Sequence, residues 1–185
     1  MDKNDYSGNR KSFMEPGEIF FWTATINKWQ HLLKEDRFKE IVIHSLTNLS
    51  ERKLIDVFAF VIMPNHLHLI WRTNALNGKE TAQSSFLKFT AQAFKKLLRD
   101  SPSILESYAV TAHNKQYEFW QRDSLAIQLY SREVMLQKLH YIHLNPTAGR
   151  WQLVGAPCDY HYSSARFYEM NEVNFNFLKD VRTEF

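Results

Sequence analysis

The chain has 185 residues, which is enough for one domain with a sizeable buried core and too few for two ordinary domains. Hydrophobic residues make up 44% and charged residues 23%, a composition that excludes a disordered chain. The net charge of +3 excludes a nucleic-acid binder whose whole surface is basic, so any basic surface must be local. We therefore expect a single domain over residues 1–185, with residues 1–16 flexible.

The sequence indicates a cytoplasmic protein without a membrane partner. Residues 1–11 are polar and lack the apolar segment of a secretory signal. The longest uninterrupted apolar run, residues 57–63, falls far short of the roughly 18 residues that cross a bilayer. Cys158 is the single cysteine, which excludes an intramolecular disulfide and a thiolate metal cage.

Hydrophobic patterning in the first half of the chain predicts a strand, a helix and two further strands. Residues 19–26 are aromatic and β-branched, as in a buried strand. Helical spacing predicts a helix over residues 37–49, with Asp36 as its N-cap. Residues 54–62 and 66–72 return to β-prone sequence, and the proline-containing corner between them predicts that they pair as neighbouring strands.

The second half of the chain predicts two longer helices separated by weakly patterned sequence. A polar loop at residues 74–81 leads into a helix over residues 84–99. Residues 107–111 predict a short strand, whereas residues 113–130 have no clear period. A last helix is expected over residues 131–145.

Both helices carry an apolar stripe that we expect to face the core. The stripe of the first is predicted to be Leu87, Ala91, Phe94 and Leu98. The stripe of the last is predicted to be Met135, Leu139 and Ile142. Ser131 can cap the last helix and Pro146 ends it. The order β-α-β-β-α-β followed by a C-terminal helix is typical of an α+β fold, in which helices pack on a ferredoxin-like antiparallel β-sheet.

Two histidines on one predicted strand are candidate metal ligands. His66 and His68 flank Leu67, and side chains two residues apart on a strand share a face, so both imidazoles can reach one divalent ion. An ordinary exposed or hydrogen-bonded pair stays open, because 8 histidines produce such spacing by chance with appreciable frequency. His140 and His143 form a competing pair on the last helix, for which we favour a supporting role or none.

The last predicted helix offers a nucleophile and a third ligand. Tyr141 and Asn145 are four residues apart, so they share a helical face beside the apolar stripe. The amide oxygen of asparagine is a hard ligand that suits Mg²⁺ or Mn²⁺. A phenol is a weak nucleophile until its anion is stabilised, and a metal-bound phosphate beside it would be oriented for in-line attack. A half-buried structural tyrosine is the other interpretation, and the rival tyrosines are Tyr130, Tyr160 and Tyr162.

Four blocks of this sequence resemble those of one transposase family. Residues 63–70 resemble the HUH motif (histidine, hydrophobic residue, histidine) of the single-tyrosine HUH transposases, in the branch of REP-associated tyrosine transposases. Residues 141–146 are similar to the tyrosine motif of that branch, and residues 119–122 and 162–164 match blocks between and after these motifs. The resemblance covers about residues 54–168, with the two principal motifs in the right order.

The resemblance implies a metal-dependent endonuclease and strand transferase for single-stranded DNA. It assigns Tyr141 as the nucleophile that forms a 5′-phosphotyrosine, and His66, His68 and Asn145 as ligands of Mg²⁺ or Mn²⁺. It also implies a DNA hairpin near the cleavage site and, as in some relatives, a homodimer that exchanges the tyrosine helix. Residues 147–151 depart from the usual continuation of the tyrosine motif, which leaves the subfamily and its preferred hairpin open.

DNA contacts must come from local features because the net charge is small. Candidate phosphate contacts are the basic residues of helix 84–99, namely Lys88, Lys95, Lys96 and Arg99. Trp120 and Arg122 could pair base stacking with a phosphate contact. The alternative for all of them is a solvated surface without a partner.

Two other functions stay open on the sequence. The first is a catalytically silent module that binds a DNA hairpin with the same fold. The second is a metal-dependent phosphoesterase that uses activated water, for which Tyr141 would be dispensable.

Overall fold

The computed structural model describes residues 14–112, 115–122 and 124–185. Its strands are β1 (Ile19–Thr25), β2 (Ile55–Ile62), β3 (His66–Thr73), β4 (Ala109–Ala112), β5 (Lys115–Tyr117) and β6 (Leu125–Gln128). Its α-helices are α1 (Asp36–Glu51), α2 (Ala82–Leu97), α3 (Pro102–Glu106), α4 (Arg132–Leu144) and α5 (Ala165–Glu169).

A four-stranded antiparallel sheet in the order β2-β3-β1-β6 forms the centre of the fold. The connection from β1 through α1 to β2 leaves a gap in the sheet, and β3 fills it by turning back from β2 and pairing with both strands. This is the ferredoxin-like arrangement, so the predicted fold class is confirmed. β4 and β5 pair with each other as a separate two-stranded sheet.

The sheet separates two layers of helices because side chains alternate between its faces. On β3, Leu67, Leu69 and Trp71 belong to one apolar cluster, which they share with the buried residues of α1 and α2. Ile70 belongs to a second cluster, on the other face, which includes the α4 residues Met135, Leu139 and Ile142. The predicted stripe of the last helix is thus confirmed, and α4 lies on the face opposite to α1 and α2.

The predicted helix boundaries agree with the structure to within two residues, but two local details differ. Asp36 is the first residue of α1 and Glu35 is the N-cap, so the predicted cap is wrong. The carboxylate of Asp36 instead accepts a hydrogen bond from Lys39 Nζ at 2.7 Å. Phe94 and Leu98 of the predicted α2 stripe are buried as expected, but in the first half of the helix Phe86 and Thr90 are buried in place of Leu87 and Ala91. The large ring of Phe86 packs edge-on against Trp22. Leu87 is only partly buried.

The weakly patterned region hides an edge strand. β6 pairs with β1 as the fourth strand of the sheet, although no strand was expected between residues 113 and 130. The strand predicted at residues 107–111 corresponds to β4, which lies outside this sheet, so its predicted place was wrong. β6 has only four residues, and three of them are partly buried, so its sequence does not show the alternation of polar and apolar residues that predicts a strand. A short helix, α5, also follows the one predicted to be last.

The described residues bear on two further expectations. Met14, predicted to be flexible, is 6% exposed and packs in the larger apolar cluster, while residues 1–13 of that prediction lie outside the described part of the chain. Within the part of the chain that the structure describes, none of the helices is both long and apolar enough to cross a membrane.

Candidate active site

The paired histidines of β3 face the α4 layer and are buried. His66 is 6% exposed and His68 is 5% exposed, and their ring centroids lie 4.7 Å apart. The register of the sheet places Thr25 opposite His66 and Thr23 opposite His68. The strand period that predicted two imidazoles on one face is therefore realised in the fold.

A polar neighbour holds the Nδ1 atom of each imidazole. Thr23 Oγ1 lies 2.7 Å from His68 Nδ1, and Asn65 Oδ1 lies 2.7 Å from His66 Nδ1. Hydrogen bonding at Nδ1 fixes the ring orientation and leaves Nε2 as the ligating nitrogen. Sequence analysis did not identify Thr23, because a threonine in a β-prone strand has no pattern that distinguishes it from its neighbours.

Both imidazoles are kept neutral, which is the form that binds metal. Burial is the main cause that lowers the pKa of His66 to about 4, and the nearby charge of Arg150 adds to it. A hydrogen bond with Asn145 opposes the shift. Burial is the largest cause that lowers the pKa of His68 well below its usual range, and the nearby charges of His66 and Lys138 lower it further.

α4 brings the predicted nucleophile and third ligand to the same place. The helix begins where expected, because the side chain of Ser131 accepts a hydrogen bond from the Val134 backbone. The Tyr141 ring lies 5.2 Å from that of His68, centroid to centroid, and is 50% exposed. Asn145, at the end of the helix, is 7% exposed and hydrogen bonds to the imidazole of His66. All four predicted side chains thus meet within one molecule.

A cleft of about 550 Å³ opens beside these groups. It lies between the outer face of α4 and the turn that follows it, and its lining includes His66, Tyr141, Arg150 and Trp151. The guanidinium of Arg150 lies 5.2 Å from the Trp151 ring centroid, and that ring lies 5.8 Å from the His66 ring. In the sequence, residues 147–151 were notable only as a departure from a family motif. The position of the Arg150 side chain near His66 depends on a strand far away in the chain, so no local pattern could predict it.

The donors present fit a divalent metal ion. His68 Nε2 is buried without a hydrogen-bond partner among the described residues, which is a costly state for a polar atom unless it binds a ligand. No group of three His, Cys, Asp or Glu side chains that could hold a metal occurs in the described ranges, so the third protein donor would be the Asn145 amide. Two imidazole nitrogens and an amide oxygen suit Mn²⁺ or Mg²⁺, with Mn²⁺ favoured by the nitrogen ligands.

The competing candidates have other contacts. His143 is buried and its Nε2 lies 2.9 Å from Ser164 Oγ, so this imidazole joins α4 to the segment before α5 and does not reach the cleft residues. Tyr160 donates a hydrogen bond to the Ile62 carbonyl at 2.7 Å, and Tyr162 donates one to Glu40 at 2.8 Å. Tyr130 is 79% exposed but precedes α4, at the end opposite to Asn145.

The predicted base-stacking role of Trp120 is not available in this fold. Its ring is 6% exposed and packs against Phe86 and Phe94 in the core, and its Nε1 donates a hydrogen bond to Thr90 Oγ1 at 2.9 Å. The indole ring and its N–H group are therefore both used for folding. The prediction for Trp120 is wrong, because an aromatic residue in a segment without periodicity gives no sign of whether it is buried.

The other predicted DNA contacts lie on or near α2, across the sheet from Tyr141. Lys88 forms an ion pair with Glu80 at 2.6 Å. Lys95 Nζ lies 5.1 Å from the Tyr117 ring centroid. Lys96 and Arg99 are exposed, and Arg122 forms an ion pair with Glu118 at 3.1 Å. Their role in DNA binding stays a prediction, but these side chains do not belong to the cleft.

Solved structures of similar fold exist. No protein-family model and no curated protein matches this sequence. The structure of a REP-associated tyrosine transposase bound to a REP hairpin is similar, with a TM-score of 0.61 and 19% identity over 95% of this chain and 93% of that one. A "putative transposase" from Deinococcus radiodurans matches at a TM-score of 0.38 and 18% identity over 77% of this chain and 95% of that one, too weakly for a structural conclusion. The chain has the fold of a REP-associated tyrosine transposase, as its motifs led us to expect.

Proposed function

We propose that this protein is a transposase that cleaves single-stranded DNA and transfers the cut strand through a covalent tyrosine intermediate. The observation that carries the proposal is the convergence of Tyr141 with His66, His68 and Asn145 beside one cleft. The shared fold with a REP-associated tyrosine transposase supports it.

In this proposal Tyr141 is the nucleophile. Half of its side chain is exposed at the cleft, so a phosphodiester can reach the hydroxyl while the ring rests on His68. In the cleavage step, the phenolic oxygen forms a bond to phosphorus, the bond from phosphorus to the 3′-oxygen breaks, and the proton lost by the phenol ends on that 3′-oxygen through solvent. In strand transfer, a different 3′-hydroxyl attacks the phosphotyrosine and the phenol recovers a proton. The number of ester bonds to phosphorus is conserved, so no ATP is needed.

The buried donors would hold the metal. His66, His68 and Asn145 would bind Mn²⁺ or Mg²⁺, which supplies charge neutralisation and Lewis acidity at the scissile phosphate. Thr23 and Asn65 keep the two imidazoles in the ligating orientation.

Arg150 supplies a fixed positive charge at the cleft. Its guanidinium is close enough to His66 to lower the pKa of that imidazole, and it is positioned by Trp151. A planar guanidinium binds phosphate oxygens through two parallel hydrogen bonds. We infer that Arg150 orients the scissile phosphate toward Tyr141.

The partner we propose is single-stranded DNA that carries a hairpin near the cleavage site. The similar transposase is bound to a REP hairpin, which supports a hairpin partner here. A duplex is stiff and keeps its bases stacked and paired, whereas an unpaired strand bends freely into a cleft and exposes its bases. Because the tyrosine and the histidines meet within one chain, each molecule would hold a complete site, whether or not two copies associate.

A covalent trapping assay tests the proposal. The protein is incubated with Mn²⁺ and a pool of labelled hairpin oligonucleotides that carry random single-stranded flanks, and the products are resolved in SDS. We expect an SDS-resistant protein–DNA adduct and a free 3′-hydroxyl, both lost in Tyr141→Phe and in the metal-free reaction. Tyr130→Phe is the matched control, because Tyr130 is an exposed tyrosine at the other end of α4.

The same assay separates the competing functions. Cleaved DNA without an adduct, unchanged in Tyr141→Phe, would indicate a phosphoesterase that uses water. DNA binding without cleavage at any metal concentration would indicate a silent binding module. An adduct that persists in Tyr141→Phe would show that another residue is the nucleophile.

A further inference from the structure

The turn after β1 has an unusual backbone. Lys28 and Trp29 are adjacent residues with φ of 55° and 58°. Glycine adopts these left-handed angles freely, but a bulky side chain such as an indole is disfavoured there. Two such residues in succession need the surrounding structure to hold them, and strain of this kind concentrates at functional sites.

The turn is held by hydrogen bonds to three other segments. The Ile26 amide donates to the Asn65 carbonyl at 2.8 Å, and the Asn27 amide donates to the Phe119 carbonyl at 2.7 Å. Gln30 Nε2 donates to the Ser107 carbonyl at 3.0 Å. The strained backbone is therefore rigid, and its cost in stability is offset by its anchors.

One anchor joins the turn directly to the proposed metal site. Asn65 Nδ2 donates to the Trp29 carbonyl at 3.2 Å, while Oδ1 of the same side chain contacts His66 Nδ1. Thr25 pairs with His66 in the sheet, so the turn begins one residue beyond the partner of a proposed ligand. Lys28 and Trp29 are consequently fixed relative to the cleft.

The rigid turn displays an indole to solvent. Trp29 is 54% exposed, and Lys28 beside it is also exposed. An exposed aromatic ring next to a cation suits an unpaired nucleotide, because the base stacks on the ring and the phosphate meets the positive charge. The hydrogen bonds that hold the turn come from its backbone and from the side-chain amides of Asn65 and Gln30, so none of them uses the indole.

We propose that Trp29 is a stacking site for an unpaired base of the DNA strand that enters the cleft, with Lys28 contacting its phosphate. This inference rests on the proposed function for its ligand, single-stranded DNA, and not on the chemistry of Tyr141. Asn65 links the turn to His66, so a base held on Trp29 would affect the position at which the strand is cut as well as the affinity for the strand.

Binding measurements with two substitutions test the stacking site. Trp29→Gly removes the indole and leaves a residue that adopts the observed φ without strain, and Trp29→Phe keeps an aromatic ring. The probe is a fluorescent hairpin oligonucleotide with a single-stranded flank, bound without metal so that no cleavage occurs. We expect Trp29→Gly to weaken binding roughly ten-fold and Trp29→Phe to retain most of the affinity. Phe89→Ala is the control, because Phe89 is also a large exposed ring, 47% exposed, and lies on α2 and not on the turn.

An abasic scan distinguishes base stacking by Trp29 from a purely structural role of this residue, because only stacking makes the effect of the substitution depend on one base of the DNA. Removing one base at a time from the flank should weaken binding of the unmodified protein most at one position, and Trp29→Gly should lose nothing further there. Equal losses in both proteins at every position, or unchanged affinity in Trp29→Gly, would overturn the proposal. Circular dichroism and thermal unfolding of each variant establish that the fold is retained.

The stacking site and the proposed transposase chemistry can be rejected independently of each other. Adduct formation by the unmodified protein together with unchanged binding by Trp29→Gly would reject the stacking site and keep the transposase. A base-specific effect of Trp29 without an adduct under any condition would keep the stacking site and reject the proposed chemistry.

Discussion

Replacement of Thr23 by valine isolates the contribution of one hydroxyl group to the proposed metal site. The two side chains have nearly the same shape, so Thr23→Val removes the contact between Oγ1 and His68 Nδ1 at 2.7 Å without opening a cavity. If His68 binds a metal through Nε2 as proposed, its proton would be on Nδ1 and would be donated to the threonine oxygen. Valine leaves that proton without an acceptor on a ring that is 5% exposed.

Two magnitudes follow from this geometry. Loss of a partner that orients a ligating histidine weakens metal binding by about 10- to 100-fold, equivalent to about 1.4–2.8 kcal/mol. The unsatisfied buried nitrogen lowers the free energy of unfolding by about 1–3 kcal/mol. Isothermal titration with Mn²⁺ measures the first quantity and urea unfolding of the metal-free protein measures the second.

A matched control separates the two effects. Thr90→Val removes the acceptor of the Trp120 indole N–H in the opposite layer, so it should reduce stability by a similar amount and leave Mn²⁺ affinity unchanged. Thr23→Ser keeps a hydroxyl and should retain most of the affinity. If Thr23→Val bound Mn²⁺ as tightly as the unmodified protein while losing stability, the hydroxyl would be only structural and would not support a metal ligand.

Three further substitutions test other parts of the structure. Arg150→Gln should weaken DNA binding and reduce the slope of log affinity against log salt by about 1, and an unchanged slope would remove the proposed phosphate contact. Trp120→Phe should lower the free energy of unfolding by about 1–3 kcal/mol through its lost hydrogen bond, with DNA affinity per folded molecule unchanged. The carboxylate of Asp56 accepts hydrogen bonds from Arg72 and Lys179. Burial raises the pKa of Asp56, but these partners outweigh burial, so the net pKa is lowered. The carboxylate of Asp56 therefore contributes fully to stability above the ordinary pKa of 3.8, and this contribution is lost as the pH falls through the lower pKa of the folded state. Asp56→Asn should flatten this part of an acid-unfolding profile. It should also reduce the free energy of unfolding at pH 7 by on the order of 1 kcal/mol.

The sequence by itself determined those features that depend on local periodicity. Alternation along a strand put His66 and His68 on one face, and helical spacing put Tyr141 and Asn145 on one side of a helix. The element order predicted the ferredoxin-like fold, which the structure confirms, but it assigned the fourth strand to residues 107–111, whereas β6 occupies that place in the sheet.

Tertiary packing alone decided which of these faces meet and which residues surround them. α4 covers the histidine face while α2 covers the other, so the basic side chains of α2 are separated from Tyr141 by the sheet. Trp120 and Trp29 are both tryptophans in segments without a readable period, yet the first is buried and the second is 54% exposed on a strained turn. The physical reason is that periodicity fixes the direction of a side chain relative to its own element, whereas burial and neighbouring charge depend on segments distant in the chain.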